Sequence, residues 1–311
     1  MGVHTRAVLA VMMGGVVFAA LLGGCASTPV EIEPDAANGG MTVGGENPGK
    51  AEGGGARGDR GTGLSLFVVD QAAAAKELGE LTPSRLAMKV MGIRRAFDGK
   101  KPESRLISTR VVGEGGKTVN VREVPFDGGE PSEAVRRPGA VADGGKGSEL
   151  PKKGSQFEMV LDEQGRLVLS RSADFEDRVT TSFTPAMVVL PAVLEVGKPV
   201  VSEFEMVVRP MENQSTIKAQ GKAKNTVELV RFERLRTKEG EFIAARVRTK
   251  LEADLNPAKV VNTTTTWFVP ELGVVAEQEI QRVTALGLPV RVSDSVWITS
   301  PVKREGDTEQ K

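Results

Sequence analysis

The side chains that most often carry out catalysis are almost absent from this sequence. Its 311 residues include one histidine, His4, one cysteine, Cys25, and no tyrosine. Because both residues lie within the first 25, the rest of the chain cannot form a Ser-His-Asp or Cys-His catalytic group, a Cys/His zinc site or a disulfide. We therefore expect a protein that is not an enzyme and that holds no metal or cofactor.

Only carboxylates, lysines and hydroxyls remain to support chemistry, and one pair of carboxylates stands out. Glu203 and Glu205 alternate with apolar residues, so both point to one face of a strand. Two facing carboxylates can hydrolyse a glycoside, whereas two carboxylates on one strand are more often a solvated face. Trp267 and Trp297 are similarly ambiguous, because tryptophan can stack on a sugar or pack in a core.

The first 24 residues have the three zones of an export signal. A short start that contains Arg6 is followed by an uncharged apolar run over residues 7–22, and the segment ends in Leu22-Gly23-Gly24-Cys25. The run is shorter than the ~20 residues that a membrane-spanning helix needs. We expect a signal peptide that is cleaved between Gly24 and Cys25.

The last four residues match the lipobox pattern Leu-[Ala/Ser/Gly]-[Gly/Ala]-Cys at every position, so the leader resembles that of bacterial lipoproteins. The resemblance implies a diacylglyceryl group on the thiol of Cys25 and a further acyl chain, such as palmitate, on its amino group. Three acyl chains hold a protein on a membrane almost permanently. Ala26, at a position where aspartate signals inner-membrane retention, favours the outer membrane with the protein facing the periplasm.

The charge balance argues against a nucleic-acid partner. The chain has 41 basic and 41 acidic side chains, and removal of the leader takes away only Arg6. Without a net positive charge the protein has no general attraction for DNA or RNA.

Two stretches rich in glycine and proline interrupt the chain. Residues 25–62 have few large apolar side chains, which predicts a flexible tether with a reach of roughly 30–35 Å. Residues 125–154 are similar in composition and predict a disordered insertion, although loops of such length can also be functional. We expect one β-rich domain over residues 63–300 and a charged tail over residues 301–311.

The start of the domain predicts short local elements. Residues 64–69 form an apolar run typical of a strand, and the alanine-rich segment 71–79 predicts a helix that ends at its glycine. Over residues 84–97, a helical stripe that begins at Thr82 and Pro83 competes with a strand-like alternation, and we predict a helix.

From residue 105 onward apolar residues recur with a period of two, which predicts strands with one buried and one solvated face. Short turns join the strands without helical crossovers. We therefore predict a mainly β fold, a long-stranded curved antiparallel meander that forms a half-barrel or flattened barrel, with one or two N-terminal helices. The predicted strands are 117–124, 156–161, 166–171, 175–183, 200–209, 226–236, 241–255, 260–269, 273–284 and 289–299.

The segment Trp267-Phe-Val-Pro-Glu-Leu-Gly-Val-Val275 resembles a hairpin of uncharacterised exported bacterial proteins, with the pattern Trp-aromatic-x-Pro-x-x-Gly-[Leu/Val]-Val. The matching residues are Trp267, Phe268, Pro270 and Gly273, and acidic residues follow at Glu277 and Glu279. The resemblance covers approximately residues 180–300. It implies a sheet broadly similar to the lipoprotein carriers of the LolA/LolB type, whose concave face shelters acyl chains.

The segment Pro185–Leu194 is wholly apolar and contains a second proline, Pro191. Proline cannot donate to a strand ladder, so the segment is poorly suited to a central strand. It is either a buried connection under the sheet or an apolar lip for a ligand or partner. The residues of the possible lip are Met187, Val189, Leu190, Val193 and Leu194.

These features predict a membrane-anchored lipoprotein of the cell envelope whose non-catalytic β domain binds an apolar ligand, such as a lipid, or an envelope protein. A structural or assembly lipoprotein without a ligand cavity is one alternative. A hydrolase that uses carboxylates is the other.

Overall fold

The computed structural model describes residues 64–86, 92–96, 104–112, 118–126, 153–237, 240–256, 258–270 and 272–301. The predicted leader, lipidation site and tether, nearly all of the predicted insertion and the tail lie outside these residues. The described chain forms two helices and 13 strands. In chain order they are β1 Ser65–Val68, α1 Gln71–Leu78, α2 Pro83–Leu86, β2 Gly92–Ala96, β3 Ser104–Val112, β4 Thr118–Pro125, β5 Ser155–Leu161, β6 Leu167–Asp174, β7 Val179–Leu190, β8 Val200–Pro210, β9 Ala219–Thr237, β10 Gly240–Asp254, β11 Ala258–Val269, β12 Gly273–Ala285 and β13 Leu288–Pro301.

The strands form one antiparallel sheet that curls back on itself. Strands β2 to β13 each pair with the next along the chain, β13 pairs with β2, and β8 pairs with β9. The twelve strands therefore make a ring. The short strand β1 pairs with β9 beyond the end of β8. This arrangement confirms the predicted curved antiparallel meander.

The alternation seen in the sequence separates an inner face of the ring from an outer one. In β10, Leu251 and Ala253 are buried and Lys250 is exposed. The register places Leu251 opposite Asn225 of β9 and Asn262 of β11, so these three side chains share the inner face. Residues two apart on each strand continue this face around the ring.

The main hydrophobic core lies on the inner face and includes the two helices. Leu78 and Leu86 pack in the same cluster as Phe157, Met206 and Leu251, which come from three different strands. Full burial of each such side chain is worth about 1.5–3 kcal/mol. A second cluster on the outer face joins Leu64 to Leu235, Trp267 and Ile298.

The helix predicted over residues 71–79 is confirmed. Asp70 caps α1, because its side chain accepts a hydrogen bond from the N–H of Ala73 at 2.9 Å. Gly79 ends the helix in a left-handed conformation, with φ of +65°, and its N–H donates to the carbonyl of Ala75.

The helix predicted over residues 84–97 is wrong over residues 92–96. Helix α2 begins at Pro83 as predicted but ends at Leu86, and residues 92–96 form strand β2. Pairing with β13 and β3 gives these residues strand hydrogen bonds on both sides. Those contacts outweigh the weak local preference for a helix.

Two predicted strands also differ in their bounds. Strand β9 begins at Ala219 rather than at residue 226, and β7 runs from Val179 to Leu190 rather than over residues 175–183. Pro185 fits within β7 because neither neighbouring strand pairs with it: the β6 register resumes at Met187, and the β8 register stops at Thr184. Its missing N–H therefore leaves no ladder bond unmade.

Candidate functional site

The apolar segment singled out in the sequence forms a strap across the inner side of the ring. Strand β7 pairs with β8 only up to Thr184, and it then leaves that neighbour. We call residues 187–197 the strap. The break leaves the first residues of β8 paired with β9 alone, so the ring has a seam between β7 and β8.

Side chains, rather than a strand ladder, hold this side of the strap. The N–H of Val188 donates to the hydroxyl of Ser202 at 3.3 Å, and its carbonyl accepts from the amide of Asn225 at 2.8 Å. Ser202 and Asn225 are opposite each other in the register and share the inner face. The strap therefore crosses the inner surface of β8 and β9.

The far end of the strap contacts the helical segment and β9. The N–H of Leu194 donates to the carbonyl of Leu81 at 3.2 Å, and the N–H of Gly197 donates to the carbonyl of Leu229 at 3.0 Å. Nearby, the side-chain amide of Gln71 bonds the backbone N–H and carbonyl of Phe232 at 2.7 and 2.9 Å. The strap and Gln71 thus cover the edge of β9 between its pairings with β8 and β1.

The strap brings four of the five predicted lip residues into the core. Met187, Val189, Leu190 and Leu194 are buried in one cluster with Ala74, Leu78, Leu81 and Leu86 of the helical segment, whereas Val193 is 41% exposed. The strap and the helices therefore share an apolar interface at one end of the ring. That these residues bind a ligand or partner stays a prediction.

The hairpin motif is a structural element around a buried carboxylate. Trp267 is buried and donates from Nε1 to Glu233 at 2.6 Å. Glu233 is also buried and accepts hydrogen bonds from Arg231 and Arg246, at 2.6 and 3.3 Å. The tryptophan thus orients a charged cluster on the outer face.

The other residues of the motif shape the turn. Phe268 is buried in the main core, Pro270 is partly buried in the turn, and Gly273 has the positive φ that the turn requires, +82°. Trp297 is also buried, with the guanidinium of Arg105 at 4.9 Å from its ring centre. Neither tryptophan offers an open stacking surface.

Glu203 and Glu205 lie on the outer face of β8, and both are exposed. Glu205 accepts a hydrogen bond from Gln220 of the neighbouring strand at 2.5 Å. Their position fits the solvated strand face considered above.

One carboxyl group, at an acidic turn after β6, has a raised pKa. Asp174 is the last residue of β6, at the end of that strand away from the strap. Burial raises the pKa of its carboxyl to about 6. The backbone N–H of Asp177 donates to its carboxylate at 2.7 Å and opposes this effect, while the negative charges of Asp177 and Glu176 add to it. The described residues contain no group of three or more acidic, histidine or cysteine side chains suited to a metal ion.

Sequence reasoning missed the residues that hold the strap, namely Leu81, Ser202, Asn225 and Leu229. One of them carried a usable signal. Asn225 interrupts the inward series Ala223, Val227 and Leu229 of β9, and a polar residue at an inward position needs a partner. The prediction started this strand at residue 226 and therefore passed over it.

Comparison with known proteins finds a weak similarity to two solved structures. One is a suspected lipoprotein from Parabacteroides distasonis ATCC 8503, 12% identical, with 70% of this chain and 97% of that chain covered and a TM-score of 0.37. Another is a suspected exported protein with a YmcC-like fold from Bacteroides fragilis NCTC 9343, 12% identical, with coverage of 69% and 95% and a TM-score of 0.37. Such values are too low to relate the function of this chain to either protein. No family model and no curated protein matches the chain.

The predicted lipidation and cleavage residues, Gly24 and Cys25, lie outside the described residues. Within the described part of the chain, no helix has the length and apolar character to cross a membrane.

Proposed function

We propose that the protein is a lipoprotein of the bacterial envelope, anchored through Cys25, whose β domain binds an apolar ligand in the space now filled by the strap and the helices. The lipobox supports the anchor, and Ala26 supports the expected location at the outer membrane facing the periplasm. The observation that supports the binding function is the seam between β7 and β8. There the apolar interior is closed by a strap instead of by a continuous ladder.

Residues 191–197 of the strap are suited to move because few hydrogen bonds tie them to β9 and the helices, whereas residues 187–190 also pair with β6. Each such bond contributes only about 0.5–1.5 kcal/mol. The apolar side chains beneath the strap contribute the larger part of its stability, and a bound hydrocarbon chain replaces the same contacts. Exchange of protein contacts for ligand contacts therefore costs less here than at a continuously paired strand.

A photoreactive probe tests this function on the lipid-anchored full chain in membranes. The probe is a neutral long-chain alcohol with a diazirine on its chain, and mass spectrometry maps the peptides to which it couples. We expect coupling to peptides of the strap and of helices α1 and α2. An excess of unlabelled long-chain alcohol should abolish it.

A disulfide that fixes the strap supplies the matched control. Leu81→Cys with Leu194→Cys joins two residues whose backbones share a hydrogen bond, and the native Cys25 thiol is expected to carry lipid. Oxidation should prevent coupling, and reduction of the same sample should restore it. Absence of specific coupling in the wild type contradicts the proposed function.

A second candidate is a function in binding a protein partner, which an exposed apolar stripe favours. Leu286, Leu288, Val290 and Val292 follow one another on the β12–β13 hairpin and are 59–85% exposed. Such stripes are uncommon on isolated soluble domains. A photo-crosslinking residue at Val290, but not at the exposed Val68 near the other end of the ring, should then couple to one envelope protein in intact cells.

A further inference from the structure

A group of polar side chains lies on the inner face of the ring. The register shows that three inward positions of β11 and three of β12 are polar and opposite one another. All six expose 7% or less of their surface, so they are not a solvated face. We call them the polar ladder: Asn262, Thr264, Thr266, Glu277, Glu279 and Gln281.

The ladder has an excess of hydrogen-bond acceptors. The amide nitrogen of Asn262 donates to Glu279 at 2.7 Å, and the hydroxyl of Thr266 lies 3.4 Å from Glu277. The side-chain oxygens of Asn262 and Gln281 are buried without a hydrogen-bond partner. Buried oxygens of this kind are rare, because they lose their bonds to water and gain nothing in exchange.

Two of the six side chains of the ladder are carboxylates. Glu277 and Glu279 lie two residues apart on one face of β12. Arg291 of β13 interacts electrostatically with Glu279 and with Asp177.

The ladder adjoins the space assigned to the ligand. Val260 and Val283, the next inward residues of β11 and β12, belong to the same core cluster as Met187 of the strap. A molecule whose hydrocarbon chain replaces the strap contacts can therefore extend its polar end along the inner face to the ladder.

We propose that the ligand is a long-chain amphiphile with a primary amine at its polar end, and that the polar ladder binds this amine. The inference rests on the proposed binding of an apolar ligand. A protonated amine offers three N–H donors and a positive charge. The unpartnered oxygens of Asn262 and Gln281 and the carboxylate of Glu279 are acceptors that fit it. A fatty-acid carboxylate offers no donor, and it meets like charges at Glu277 and Glu279.

Competition against the photoreactive alcohol tests this specificity on the lipid-anchored full chain in membranes. Dodecylamine and dodecanoate are each added below the concentration at which they form micelles, and the loss of coupling to the strap and helix peptides is measured. We expect dodecylamine to halve the coupling at a concentration at least tenfold lower than dodecanoate. Tenfold corresponds to about 1.4 kcal/mol of binding free energy.

Two variants locate the preference in the ladder. Glu279→Gln keeps the size of the side chain and removes its charge, while Gln281→Met removes an unpartnered oxygen and should leave the melting temperature unchanged or raised. In each, the preference for the amine should fall below threefold. The exposed Glu203→Gln is the control for attraction of the amine by the membrane and the protein surface, and it should keep the wild-type ratio.

The outcomes separate the two proposals. If no probe couples specifically, the proposed function fails and this inference fails with it. If the probe couples but dodecanoate competes as well as dodecylamine, the apolar site stands and the amine is refuted. A wild-type ratio retained in both ladder variants refutes the ladder as the binding group, and Gln281→Met decides alone if Glu279→Gln does not fold.

Discussion

Replacing Asp174 with asparagine should stabilise the protein at neutral pH. The pKa of this carboxyl is raised from its ordinary value of 3.8 to about 6, chiefly by burial. Because the folded state holds the proton more tightly than the unfolded state, folding is favoured at low pH. Stability is lost as the pH rises from 3.8 to about 6, and it is level above that.

The size of the effect follows from the two pKa values. Each pKa unit corresponds to 1.36 kcal/mol, so ionised Asp174 costs about 3 kcal/mol at pH 7.5. Asparagine carries no charge and keeps an oxygen for the N–H of Asp177. We expect Asp174→Asn to gain up to about 3 kcal/mol at pH 7.5, a rise of roughly 5–10 °C in melting temperature, and about 1 kcal/mol at pH 4.5.

Urea unfolding followed by circular dichroism at both pH values measures this difference. Asp162→Asn is the control with the opposite sign. Burial raises the pKa of Asp162, but hydrogen bonds from the side chain and backbone of Arg166 outweigh burial and lower it. That variant should be destabilised at pH 7.5, with a smaller effect at lower pH. A gain for Asp174→Asn that is equal at both pH values, or a loss at pH 7.5, refutes the assignment.

Two further predictions concern the anchor and the outer charged cluster. Cys25→Ser should prevent acylation and leave the leader uncut by the lipoprotein peptidase. Mass spectrometry of the N-terminal peptide detects both effects. An unmodified N-terminus at another residue of the wild-type protein contradicts the lipobox assignment. Glu233→Gln should lower the free energy of unfolding by about 2–3 kcal/mol, because Arg231 and Arg246 lose their buried carboxylate. Glu228→Gln is the control, because the ion pair of Glu228 with the half-exposed Arg248 is worth less than about 1 kcal/mol. Equal losses in the free energy of unfolding of the two variants would contradict the reasoning.

The long strands could be predicted because each has one apolar and one polar face for most of its length. Residues 241–255 show this, and β10 spans nearly the same residues. Strand β2 could not be predicted in the same way. It has five residues, too few for a clear period, and one of its two partner strands is β13, about 200 residues further along the chain.

The strap and the polar ladder show where alternation gives the wrong environment. The prediction assigned polar residues to solvated faces, but Thr264 and Glu279 point into the ring, where the apolar faces of other strands surround them. Alternation predicts which residues of a strand share a face. Only the closure of the ring determines which of the two faces is inside. Likewise, the apolar composition of residues 187–194 was visible, but the side chains that hold them are on β8 and β9.

The pairing of β13 with β2 has a consequence for the order of folding. Neighbouring strands along the chain can form hairpins early, because their contacts are local. The ring, however, closes only through the contact of Trp297–Pro301 with Gly92–Ala96, which joins its last strand to its first. A chain that is synthesised from its N-terminus must therefore wait, with β2 unpaired on one edge, until almost the whole domain has been made. During that interval the free edge of β2 is the part of the protein most exposed to pairing with the wrong strand, so we expect it to depend most on chaperones.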